Sequence, residues 1–103
     1  MAEHTIAAGK IAKHGVKLVA GEVTTVAYVD NIGAVEIMSD GTAEAYYSVD
    51  GSTPAMLGAN CYRLPAGIVS VDQRTTTNSQ GNTLDVVKFI SSGTPTISVQ
   101  RAD

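Results

Sequence analysis

The chain has no tryptophan, a single cysteine, three prolines and only five aromatic side chains, and charged residues fill just 17% of its 103 positions. Each shortage excludes something. The lone Cys61 cannot close an internal disulfide and has no second thiol with which to build a zinc site, so it reads as a small core residue. Without a basic stripe and interleaved aromatics, nucleic acid is not an expected partner. No apolar run is long enough to cross a bilayer, so no membrane partner is expected either. Residues 1–13 lack the basic-then-apolar layout of a signal peptide, and the expectation is a soluble product made in a reducing cytosol.

Catalytic chemistry is equally scarce. There is no glycine-rich phosphate cradle and no nucleophile elbow, and no local motif ties a serine to a histidine and an aspartate. His4 and His14 flank a segment with nothing to fix a shared metal between them. Asp30, Asp40 and Asp50 each stand beside turn residues, where a short acceptor side chain satisfies nearby backbone donors. The clustered acidic spacing of a dedicated calcium loop is missing. The expectation is therefore no enzyme, with no catalytic, cofactor-binding or metal-binding residue and no cofactor.

What the chain does carry is β-strand chemistry. Its length suits one domain with one core. Short runs of Val, Ile, Thr and Tyr are separated by turn residues, and the clearest is Tyr46-Tyr47-Ser48-Val49 entering Asp50-Gly51-Ser52-Thr53-Pro54, where glycine supplies a positive φ and proline ends the strand. Strands are predicted over residues 14–19, 22–29, 34–39, 43–49, 61–64, 68–74, 84–91 and 96–101, with Val35 and Ile37, Val69 and Val71, and Ile97 and Val99 facing inward. Asp40-Gly41 predicts a hairpin that pairs 34–39 with 43–49, placing Ala43, Ala45, Tyr47 and Val49 inside and Glu44, Tyr46 and Ser48 outside. Residues 30–33 read as a turn cluster and residues 75–83 as a polar loop. The fold class expected is all-β: a single antiparallel β-sandwich, immunoglobulin-like or jelly-roll-like, of about seven to eight short strands.

Residues 1–13 stand apart, with isolated Ile6 and Ile11 interrupted by Gly9, and are expected to form an extended N-terminal arm ahead of a sandwich spanning residues 14–103. Charge divides along nearly the same line. Lys10, Lys13 and Lys17 against Glu3 give residues 1–20 a charge of +2, whereas four basic and nine acidic side chains give residues 21–103 a charge of −5. Such an arm suits docking on an acidic neighbour through Ile6, Lys10, Ile11 and Lys13, although three solvated lysines on a lead-in would look the same. A second pair, Met56 and Leu57, lies at the tip of a loop over residues 55–60, where it either makes a contact or folds back to plug one end of the sandwich.

Two resemblances attach to these segments. Ala45-Tyr46-Tyr47-Ser48-Val49-Asp50-Gly51-Ser52-Thr53-Pro54, followed by Tyr62, resembles the "YYTxDGSxP" hairpin of the immunoglobulin-like domains appended to chitobiases and other glycosidases, over about a fifth of the chain. The second extends further. Thr24-Thr25-Val26 through Asn31, Ala34-Val35-Glu36-Ile37-Met38, the Asp50-Gly51-Ser52-Thr53-Pro54 turn, Cys61-Tyr62-Arg63-Leu64-Pro65-Ala66 and the run VVKFISSGTPTISV over residues 86–99 are similar to small virion proteins of actinobacterial tailed phages, in which "VVKLISSGTPTYSV" and "YFTVDGTTPT" recur. Phe89 and Ile97 depart from that pattern conservatively, and the N-terminal segment is longer. The resemblance implies a structural virion component made in the host bacterial cytoplasm, a capsid decoration or minor capsid protein on the outside of the head. Its partners would be the major capsid protein, other virion subunits, or further copies of itself on the particle. A tail component remains open. So does a carbohydrate- or host-surface-binding module working through Tyr46, Tyr62 or the 75–83 loop, for which cross-strand packing of the tyrosines is the competing account.

Overall fold

Alternation of apolar and polar residues puts one face of each strand against a common interior, and the computed structural model shows the two sheets that result. It describes residues 2–29, 33–59, 61–67, 70–74 and 85–102. Among the described residues there are nine strands and no helix: β1 (Ala2–Ile6), β2 (Ala12–Lys17), β3 (Thr24–Tyr28), β4 (Ala34–Ser39), β5 (Ala45–Ser48), β6 (Tyr62–Leu64), β7 (Ser70–Arg74), β8 (Asp85–Ser91) and β9 (Thr96–Arg101). One sheet has the order β1-β3-β8-β5-β6 and the other β2-β9-β4-β7. The protein is a small all-β sandwich. The expected turn at 30–32, the start of the strand at 68–69, the loop at 75–83 and Leu84 lie outside the described residues.

The interior is apolar and continuous between the sheets. Val26, Tyr28, Ala45, Tyr47, Val87 and Phe89 enter it from the five-stranded sheet, and Val16, Val35, Ile37, Ile97 and Val99 from the four-stranded one. Tyr47 anchors the aromatic part, with its ring 5.5 Å from that of Tyr62 and 6.1 Å from that of Phe89. Tyr28 crosses the layer: its hydroxyl lies 3.1 Å from the Ile11 carbonyl oxygen and 3.2 Å from that of Val99, so a residue of one sheet donates to backbone of the other. Asp50 accepts from the Ser52 amide at 3.0 Å and the Ser52 hydroxyl at 2.6 Å, and Gly51 beside it takes a φ of 89°. Gly93 is needed for a close approach, since a Cβ there would lie 2.7 Å from the Ala43 Cβ.

Four expectations are corrected. First, residues 2–6 are not an arm. They form β1, the edge strand of the five-stranded sheet, and run parallel to β3 with Ile6 opposite Tyr28. Ile6 is 4% exposed within the core, and its carbonyl accepts from the Val29 amide at 3.1 Å. β2 likewise begins at Ala12, inside the span assigned to the arm, and pairs antiparallel with β9. With β1 the described residues hold nine strands, in keeping with the expected small sandwich, and β1–β3 is the parallel exception among the described pairings.

Second, β4 and β5 do not form a hairpin. β4 lies between β7 and β9, whereas β5 lies between β6 and β8 in the other sheet. Asp40 explains the departure. Its carboxylate accepts from the Thr42 amide at 3.1 Å and the Thr42 hydroxyl at 2.8 Å, and from the Thr96 amide at 3.0 Å, while its own amide donates to the Thr96 carbonyl at 3.0 Å. The end of β4 thus stays tied to β9 while the chain crosses between sheets. Third, Tyr46 and Ser48 are buried although they lie on the outer face of β5. Fourth, Cys61 is outside the core, half-buried, with its thiol 3.5 Å from the Ala55 carbonyl oxygen and 3.6 Å from that of Gly58.

Candidate functional site

Of the six residues marked for partner contact, Ile6 and Lys13 lie on strands, and Lys10, Ile11, Met56 and Leu57 on two separate connections. Ile6 is spent on the core, as described. Lys10 and Ile11 lie in the turn between β1 and β2, closed by the Lys10 amide donating to the Ala7 carbonyl at 3.1 Å, and Lys13 follows on β2, half-buried. Ile11 is 66% exposed. The basic, apolar character expected of the arm survives here as a short surface segment.

Met56 and Leu57 belong to the connection between β5 and β6. The Gly58 amide donates to the Ala55 carbonyl at 2.9 Å, which closes a turn with Met56 and Leu57 in its two central positions. Leu57 has a φ of 57°, the one positive value at a non-glycine residue among those described. A positive φ at the third position is the pattern of a type II turn, a place ordinarily taken by glycine or asparagine. A branched apolar residue there costs roughly 1–2 kcal/mol. Gly58 cannot exchange roles with it, because a Cβ at 58 would meet the Ala55 Cβ at 2.9 Å. Leu57 is 86% exposed and Met56 is exposed as well, so neither plugs the sandwich. The Cys61 thiol ties the turn to the start of β6, where Tyr62 is 51% exposed with one ring face stacked on Tyr47.

A polar cluster sits on the outer face of the five-stranded sheet, where β5 and β6 place Tyr46 opposite Arg63. The Tyr46 hydroxyl donates to Glu44 at 2.6 Å, and Arg63 donates to the other carboxylate oxygen through Nε at 2.7 Å and through Nη2. Hydrogen bonding from Tyr46, then from Arg63, holds the Glu44 carboxyl below its ordinary range. The same bonds to Glu44 push Tyr46 and Arg63 up. Glu44 and Arg63 are held charged and Tyr46 held protonated, each shifted away from the working pH near which a general acid or base titrates. Residue types alone did not reveal this cluster, because the β5–β6 register that assembles it is set elsewhere. Of the two tyrosines considered for sugar stacking, Tyr46 is buried, whereas Tyr62 stacks one ring face on Tyr47 and is half exposed.

A groove of about 340 Å³ lies along β1, β3 and β8, with Glu3, His4, Thr25 and Lys88 among its polar lining and Val23 and Val86 among its apolar lining. It contains no aromatic ring. Among the described residues no group of three or more His, Cys, Asp or Glu side chains is placed to hold a metal, and no helix is long and apolar enough to cross a membrane. Comparison of the chain with protein-family models, with curated proteins and with solved structures finds no match in any of the three.

Proposed function

We propose that this chain is a structural protein of a tailed-phage virion, a capsid decoration or minor capsid protein held on the outside of the head by protein–protein contacts. The observation that carries the reading is the sequence resemblance running from Thr24 to Val99, densest in residues 86–99. Those residues supply β8 and β9, interior strands of the two sheets, so the resembling segments are also those on which the sandwich depends. The geometry is in keeping with an accessory subunit. Its Cα framework measures 30 × 25 × 22 Å and carries its own core, and its best-defined carboxylates, Asp40, Glu44 and Asp50, are engaged within the fold. With residues 2–6 built into a sheet, attachment runs through the surface of the sandwich. The partner proposed is the major capsid protein or another virion subunit, with further copies of this chain as neighbours on the shell.

The test is recovery of the chain from density-purified particles of the phage that encodes it, followed by a cryo-electron microscopy map. Stoichiometric recovery with extra density on the outer shell is the expected result. Density on the tail would move the protein to a tail component. Absence from particles while the protein accumulates in the lysate would overturn the reading.

A further inference from the structure

The feature that the fold leaves unused is the turn at residues 55–58. A side chain that adds strain to its own backbone and then projects into solvent contributes nothing to folding, and glycine at the same position would relieve the strain. The turn is also held in place. The Gly58 amide closes it, the Cys61 thiol lies against the carbonyl groups of Ala55 and Gly58, and Pro54 on its entering side is buried. The backbone that carries Leu57 is thus held in place, which lowers the ordering cost of presenting it to a partner.

We infer that Leu57, with Met56 beside it, is the anchor by which this protein docks, and that its receptor is an apolar, uncharged pocket on a virion protein; the inference rests on the virion reading above. Charge argues for this occupant. From residue 51 to residue 62, between Asp50 and Arg63, the chain has no charged side chain, so the tip complements a neutral surface. A bilayer would be a poor receptor. Residues 51–62 supply no lysine or arginine to meet lipid phosphates, and one leucine with one methionine buries too little area for stable insertion. A preformed protein pocket takes a rigid knob of this size as a hot spot, surrounded by contacts that exclude water.

The test uses full-length wild type, Leu57→Gly and Leu57→Asn, both replacements being at ease with a positive φ. Two quantities are measured: the urea midpoint of each protein, and its binding to particles of the encoding phage assembled without the chain. The expected result is a midpoint unchanged or raised in both variants, with particle binding weakened roughly tenfold or more. A lowered midpoint in both variants would overturn the claim that Leu57 strains the fold. Binding equal to wild type would overturn the anchor while leaving the virion reading intact, whereas failure of wild type itself to bind would overturn both. Two further arms name rival occupants. Sedimentation showing self-association that Leu57→Gly abolishes would replace the virion protein by a second copy. Flotation with vesicles of equal parts phosphatidylcholine and phosphatidylglycerol, again lost in Leu57→Gly, would replace it by lipid.

Discussion

Ile6 and Ile11 are the same residue type in the same alanine-, glycine- and lysine-rich stretch, and the structure gives them opposite fates. Replacing each with alanine separates a built-in strand from an undocked arm. Ile6→Ala removes three buried carbons, worth about 0.8 kcal/mol apiece, hence about 2.4 kcal/mol before any cavity is counted. A partly collapsing cavity at the edge of the sheet brings the loss to about 3 kcal/mol, within the usual range for such truncations. For a domain of this size that corresponds to roughly 10–20 °C in melting temperature. Ile11→Ala, at a side chain that is 66% exposed, should stay within about 0.5 kcal/mol. Urea unfolding followed by far-ultraviolet circular dichroism measures both, with the slope checked for constancy. A loss below about 0.5 kcal/mol at Ile6 would show that β1 contributes nothing to the sandwich and would restore residues 2–6 as an arm.

Other outcomes follow from single contacts. Tyr28→Phe should cost about 1–2 kcal/mol in urea unfolding, because the Val99 and Ile11 carbonyl groups lose the one hydroxyl that joins the sheets through that ring. Gly93→Ala should cost about 1–3 kcal/mol by driving its new methyl into the Ala43 Cβ, and adding Ala43→Gly should recover most of the loss; failure of that rescue would locate the cost in the backbone. Hydrogen bonds hold Asp40 (chiefly from the Thr96 amide), Glu44 (from Tyr46) and Asp50 (from Ser52) below the ordinary carboxylate range. Their folded values are depressed, so their stabilisation is complete above the unfolded values near about pH 4 and is lost as pH falls through the folded ones. Melting temperature should be level from about pH 7 to about pH 5 and decline below about pH 4, and Asp40→Asn should make the decline shallower.

Strand chemistry was legible wherever the pattern was local. The predicted limits of β4 and β9 coincide with those observed, and the inward positions Val35, Ile37, Ile97 and Val99 are all buried. Pairing was less legible, because alternation identifies a strand without naming its neighbour. Asp40-Gly41 has the composition of a hairpin turn, yet the bond from Asp40 to the Thr96 amide joins residues far apart in the chain and sends β5 to the other sheet. β1 was not legible for the same reason: its partner is the parallel strand β3, and a five-residue segment in which Ile6 is the one large apolar side chain shows no periodicity of its own. At the candidate site, apolarity marked Met56 and Leu57, but strain did not show. Glycine stands one position later, and only the contact between positions 58 and 55 reveals that the positive φ falls on leucine.

The placement of β8 and β9 bears on how the molecule comes into being on the ribosome. β8 is the middle strand of one sheet, β9 is an interior strand of the other, and both are synthesised after the remaining seven. Until residues 85–101 emerge, β3 has no β5 side to join and β2 has no partner in its sheet. Before then the β1–β3, β4–β7 and β5–β6 pairs can form but neither sheet is complete, and their unpaired edges are exposed to aggregation and chaperone capture. One C-terminal stretch of chain therefore completes both sheets, β8 joining β3 to β5 in one and β9 joining β2 to β4 in the other.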